Sequence, residues 1–145
     1  PQIIPDTEYS ALLEEGKYAW GVRAENSLGS ATPYSVNEFI VDTTSPKKPV
    51  LLSPGSGEQL NDKTVKFEWY RVGDDGSSLW DSIYVVNDTV FNINKIVYQD
   101  FVADTGKSRE FESAGNYLWR VVTIDKAGNK GVYSEREFSI QEQIE

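Results

Sequence analysis

Gly16 to Gly29 reads GKYAWGVRAENSLG, and Gly115 to Gly128 reads GNYLWRVVTIDKAG. One chain thus writes nearly the same line twice, 99 residues apart from Trp20 to Trp119. Extending the overlay to Gly16–Asp42 on Gly115–Gln141 needs no gap and gives nine identities in 27 positions. Unrelated sequences of this composition would give roughly one or two, so the chain holds an internal repeat. The identities are Gly16/Gly115, Tyr18/Tyr117, Trp20/Trp119, Val22/Val121, Gly29/Gly128, Tyr34/Tyr133, Ser35/Ser134, Glu38/Glu137 and Phe39/Phe138. Tyr, Trp and Val fall on every second residue, the period at which side chains return to the same face of a β-strand. A glycine closes each run in a turn, and a second alternating segment follows, ending in Phe39 and Val41 or in Phe138 and Ile140. Each copy is therefore expected to be two antiparallel strands joined by a polar turn.

The remaining sequence has the same rhythm. Short strands are expected at Val50 to Ser53, around Val65, Phe67 and Trp69, at Ile83 to Val86, at Ile93 to Tyr98 and at Ser108 to Phe111. Between them lie SPGSGEQLND, VGDDGSS and VADTGK, rich in the Gly, Asp, Asn and Ser that turns favour. No window holds helical spacing. About seven short strands over about 95 residues predict an all-β, immunoglobulin-like sandwich.

Composition removes several functions. With 39% hydrophobic residues and four tryptophans, the 145-residue chain has enough apolar material for a packed core. Its net charge of −9 repels phosphate backbones and anionic lipid, and no basic stripe offsets it, so nucleic acid is not an expected partner. No apolar run of membrane-spanning length occurs, and membrane insertion is not expected. Cysteine is absent, which removes disulfides, thiolate metal sites and a thiol nucleophile. Methionine is absent too, so the chain begins without an initiator and reads as a segment of a longer protein.

Leu12 stands six residues before Tyr18, and Phe111 six before Tyr117. Together with the PVLLSP opening at Pro49–Pro54, the Phe67-x-Trp69 strand and the G-x-Y-x-W-R-V line at 115–121, this resembles bacterial fibronectin type III-like modules. The resemblance implies a tandem. Residues 1–43 would be the C-terminal part of one module, with strands like E, F and G of the family. Residues 44–49 would be a Pro-containing linker, 50–141 a complete module and 142–145 a tail. It also implies a tyrosine corner, with the Tyr117 hydroxyl bonded to backbone in the preceding turn. Tyr18, Trp20, Trp69, Tyr117, Trp119, Val121 and Phe138 are then core residues, with Trp119 packed against Trp69 of the opposite sheet. In the partial copy, Leu12, Trp20, Val22 and Phe39 lack a facing sheet. A second copy of the chain is expected to cover them, giving a homodimer.

Motifs for chemistry are weak. Histidine is absent, which removes histidine-dependent triads and the commonest zinc ligands. Gly106-Lys107-Ser108 imitates the end of a phosphate-binding loop, but Phe101 stands where its first glycine is needed and no helix follows. Asp74-Asp75-Gly76 resembles a calcium loop, yet Ser82 occupies the place of the bidentate Glu. Asn87-Asp88-Thr89 fits the glycosylation tripeptide. Carboxylates are plentiful, but turns and the solvent faces of strands, as at Glu68 and Glu137, are their expected places. No catalytic, metal or cofactor residues are assigned. Trp80 is expected in the turn between the B- and C-like strands, at one end with the turn Asp125–Lys130. With Asp74, Asp75, Lys126 and Asn129 it forms the candidate partner-binding set.

The resemblance implies a non-catalytic extracellular spacer and adhesion or protein-interaction unit of a larger secreted or cell-surface protein. The alternative is a carbohydrate-binding accessory module of a secreted polysaccharide-degrading enzyme, stacking sugars on Trp80 with Tyr84 or Tyr98.

Overall fold

The computed structural model describes residues 2–73 and 79–144. The chain divides into two compact units, Pro1–Thr43 and Thr44–Glu145. The second unit contains eight of the ten described strands: β3 (Val50–Ser53), β4 (Glu58–Leu60), β5 (Thr64–Tyr70), β6 (Trp80–Val86), β7 (Ile96–Val102), β8 (Gly106–Glu110), β9 (Gly115–Ile124) and β10 (Ser134–Ile140). They make a five-stranded sheet in the order β4-β10-β9-β6-β7 and a three-stranded sheet in the order β3-β5-β8. The alternating sequence dictates this layering, because each strand turns its odd or its even residues to one shared interior.

That interior is aromatic. Val65, Phe67 and Trp69 of β5 meet Tyr117, Trp119 and Val121 of β9 and Phe138 of β10, all at most 2% exposed. The Phe67 ring centre lies 5.1 Å from that of Trp119 and 5.8 Å from that of Phe138, and Trp69 and Trp119 face each other at 6.5 Å. The Tyr117 hydroxyl donates to the Ser113 carbonyl at 2.7 Å, forming the expected corner. Burial of several such rings is the main stabilising term of the unit, each being worth a few kcal/mol, of order 3 to 5 on truncation to alanine.

One charged residue lies inside this apolar layer. Asp81 is fully buried and accepts from the Trp69 indole N–H at 2.6 Å, the Thr123 hydroxyl at 2.6 Å and the Arg71 guanidinium at 2.8 Å. Arg71 also donates to the Ala103 carbonyl at 2.6 Å. A buried carboxylate is tolerable only when paired and hydrogen-bonded, and here both oxygens have partners, drawn from β5, β9 and the residue flanking β5. The Trp119 indole N–H, in contrast, has no partner among the described residues.

The first unit is a two-stranded antiparallel sheet, β1 (Gly16–Val22) with β2 (Ser35–Val41). It repeats β9–β10 bond for bond at the 99-residue offset. Tyr18 pairs with Phe39 as Tyr117 does with Phe138, and the two ring pairs stack at 5.6 and 5.4 Å. The Tyr18 hydroxyl donates to the Glu14 carbonyl at 2.8 Å, matching the corner of Tyr117. Gly29 and Gly128 adopt φ of +81° and +90°, and their amides donate to the Asn26 and Asp125 carbonyls. The turns differ where unit 2 has something to accommodate. Thr32 corresponds to Gly131, and a Cβ at Gly131 would stand 2.5 Å from the Pro46 carbonyl oxygen.

Several expectations require correction. Trp20, expected in a core, is 51% exposed, and Val22 beside it is 50% exposed, because β1 and β2 have no further sheet partner among the described residues. The strand expected at Ile93 to Tyr98 begins later. Ile93–Lys95 is a 3₁₀ turn capped by the Asn92 side chain, and β7 then runs on to Val102. Glu58–Leu60, expected as part of a turn, forms β4 in parallel register with β10.

Candidate functional site

The alternation that sends Tyr117, Trp119 and Val121 inward sends Leu118, Arg120, Val122 and Ile124 to the outer face of the five-stranded sheet. Register brings matching residues beside them. Tyr84 lies opposite both Gln99 and Arg120, and Arg120 lies opposite Glu135, so Gln99, Tyr84, Arg120 and Glu135 form one row across four strands. Arg120 is the centre of this row. Its guanidinium sits 3.7 Å from the centre of the Phe91 ring and 3.6 Å from that of Tyr133, and donates twice to one Glu135 oxygen at 3.1 and 2.7 Å. Phe91 in turn meets Tyr84 edge to face at 6.2 Å. Stacking on two rings and pairing with a carboxylate hold a long, flexible side chain in one place.

Trp80 lies on the same face but not where the sequence suggested. It is the first residue of β6, paired with Ile124 of β9, rather than part of a turn. Its ring is half-buried and stacks on Phe101 of β7 at 6.1 Å, leaving Phe101 itself 56% exposed. The strand continues through Trp80 because Asp81 must point inward to Trp69 and Thr123, which turns residue 80 outward.

Tyr84 shares this face with Trp80, four residues along one strand. Tyr98 does not. It lies on the inner side of β7, packed on the core, with Arg109 5.3 Å over its ring and its hydroxyl donating to Asp100 at 3.1 Å. Burial, and then the bond to Asp100, push its phenol up to about 12. Asp100 is held below the usual carboxylate range by Lys107, whose ammonium lies 2.8 Å away, and by the Phe101 amide.

In the turn after β9, Asp125 accepts from the Asn129 amide and side-chain nitrogen, each at 2.9 Å. Burial opposes its ionisation, but these bonds and the Ala127 and Gly128 amides leave it below its ordinary value. Lys126 is exposed beside it. Asp74 and Asp75 lie outside the described residues. Asn87 follows β6 directly and is exposed. Among the described residues no group of three or more acidic side chains is arranged to hold a metal ion.

Phe91, Phe101, Arg120 and Tyr133 were not among the sequence candidates. The signal for Arg120 was its phase, opposite to that of Trp119 and Val121. The signal for Tyr133 was its identity with Tyr34, which in unit 1 lies 5.0 Å under the Arg23 guanidinium.

No known family profile matches the chain, and no curated protein does. Solved structures do. The fibronectin(III)-like modules of Clostridium thermocellum CbhA superpose with a TM-score of 0.54 at 15% identity, over 89% of this chain and 64% of that one. This chain thus spans less than two thirds of the CbhA structure. The fibronectin type-III domain of human fibronectin type III domain containing protein 3 is also similar, with a TM-score of 0.45 at 13% identity over 70% of this chain and 93% of that one. The fold is a fibronectin type III-like β-sandwich.

Proposed function

We propose that this chain is a non-catalytic, extracellular fibronectin type III-like element, serving as spacer and protein-interaction unit of a larger secreted or cell-surface protein. The observation that carries this reading is the ordered outer face of the five-stranded sheet. Arg120 is clamped between Phe91 and Tyr133, with Trp80 on Phe101 alongside. Aromatic and arginine side chains held in one conformation lose little entropy on contact and dominate protein interfaces. The core behind them is filled by Trp69, Trp119, Phe67 and Tyr117, as suits a stiff unit about 35 to 40 Å long. The likeness to fibronectin(III)-like modules supports the modular role.

The glycan-binding alternative needs open ring faces, and here Trp80 is stacked on Phe101 while Tyr98 points inward. A glycan array run with wild type and Trp80→Ala separates the two readings. The spacer reading expects no glycan to be retained by either protein. Retention by wild type that disappears in Trp80→Ala would transfer the site to the alternative.

A further inference from the structure

We infer that Asn87 is an attachment site for an N-linked oligosaccharide, at the end of β6 opposite Trp80. The inference rests on the secreted reading above, because such transfer takes place where secreted chains are exported.

Eight asparagines occur in the chain, and only Asn87 has a hydroxyl residue two positions on with no proline between. Such a tripeptide can arise by chance, so its surroundings decide. Other asparagines of this chain spend their side chains on their own turns. The Asn26 side-chain oxygen accepts from the Leu28 and Ser30 amides at 3.0 Å, that of Asn92 accepts from the Asn94 amide at 3.0 Å, and the Asn129 side-chain nitrogen donates to Asp125 at 2.9 Å. Asn87 is anchored by its backbone instead, whose amide donates to the Lys95 carbonyl at 3.1 Å. Its side chain is exposed and makes no hydrogen bond among the described residues. Beside it stands Gly115, where an added Cβ would come to 3.4 Å from the Asn87 Oδ1, so no side chain covers the amide from that direction.

The two residues that follow are placed to match. Asp88 would bring a negative charge beside the reacting amide, but its two oxygens are engaged by the Lys95 ammonium and the Thr89 amide, each at 2.7 Å. Thr89 is exposed, which leaves the hydroxyl of the tripeptide open to a transferase. Further along the same loop, Val90 and Ile93 are 70% and 72% exposed. A bulky, hydrated sugar chain beside them would shield apolar side chains that otherwise favour association. Asn87 follows the seven residues of β6, so it lies roughly 20 Å along the strand from Trp80, and a glycan there leaves the rings of Trp80 and Phe101 free for a partner.

In the transfer, the Asn87 Nδ2 bonds to the anomeric carbon of the first sugar of a lipid pyrophosphate-linked oligosaccharide. The anomeric C–O bond breaks, the lipid pyrophosphate leaves with that electron pair, and the amide nitrogen gives up one proton to the transferase.

The test is to incubate the folded full chain with an oligosaccharyltransferase and a lipid pyrophosphate-linked oligosaccharide, and to read the products by intact mass and peptide mapping. The expected result is one added oligosaccharide per chain, on Asn87, with the other asparagines unmodified. Modification should be lost in Asn87→Gln and in Thr89→Ala and kept in Thr89→Ser, which separates loss of the acceptor tripeptide from a disturbed loop. An unmodified folded chain, when a peptide copying residues 84–92 is modified in the same reaction, overturns the inference, because the fold would then close the site. Undiminished modification in Asn87→Gln overturns it as well. The isolated reaction does not depend on where the protein resides, so failure of the secreted reading would appear separately, as retention of the native protein inside the cell.

Discussion

Residues 16–41 and 115–140 are two hairpins with the same strands, register, corner bond and stacked ring pair, and they differ in what lies over them. Over the second lie Phe67, Trp69 and Phe111, and its own Tyr117, Trp119 and Phe138 are kept dry. Over the first, no described residue plays that part, and Trp20 keeps half its surface in water. Hairpin geometry is thus set by local sequence, whereas burial is set by what the rest of the chain supplies. The same side chain should have very different energetic weight in the two places.

The widest gap is expected between Trp119→Ala and Trp20→Ala. The first should cost about 3 to 5 kcal/mol, and the second about 1 kcal/mol or less, because it removes far fewer contacts. Urea denaturation of the full chain, read by hydrogen exchange in each unit, measures both, and equal costs would break the comparison. Asp81→Ala should be nearly as damaging to unit 2, at about 3 to 5 kcal/mol, since it leaves Arg71, the Trp69 indole and the Thr123 hydroxyl without their acceptor. In unit 1, Ala24 stands where unit 2 has Thr123, so that hairpin has no matching anchor to lose. The substitution should leave exchange in Gly16–Val22 unchanged.

Tyr117→Phe should cost about 1 kcal/mol by removing a corner bond from a buried ring, and Tyr18→Phe only a few tenths, because water can replace the lost partner there. Thermal melts of the two variants decide it. The smallest effect concerns alkali. The folded phenol of Tyr98 titrates near 12, above its ordinary value of 10.0, so the unit's stability from this group is complete below pH 10 and is lost as pH rises from 10 towards 12. Ultraviolet titration should show a late phenolate that is missing in Tyr98→Phe, and that variant should lose less stability across this interval.

Much of this architecture could be read in advance because its signals are local. Period-two alternation and turn residues place Val50–Ser53, β5 and both hairpins, and the resemblance to fibronectin type III-like modules implies the corner. What escaped depends on partners distant in sequence. β4 is a strand only because β10 runs beside it in parallel, within a stretch whose Gly, Pro and Ser favour turns. Asp81 fits the inward phase of Ile83 and Val85, but an acidic residue there suggests solvent until Arg71, Trp69 and Thr123 are seen around it. The clamp on Arg120 joins residues 91, 120, 133 and 135, and their meeting depends on sheet register and a turn, which composition does not reveal.

Gly131 shows why two such similar hairpins cannot be exchanged. A chimera with residues 16–42 grafted over 115–141 would keep every identity of the repeat and import Thr32 at the one position where the Pro46 carbonyl leaves no room for a side chain. It would also import Gly21 in place of Arg120 and Ala24 in place of Thr123, removing the outer clamp and one ligand of the buried carboxylate. The two hairpins therefore differ at the contacts each makes with its own surroundings, sharing one outline but separate fittings.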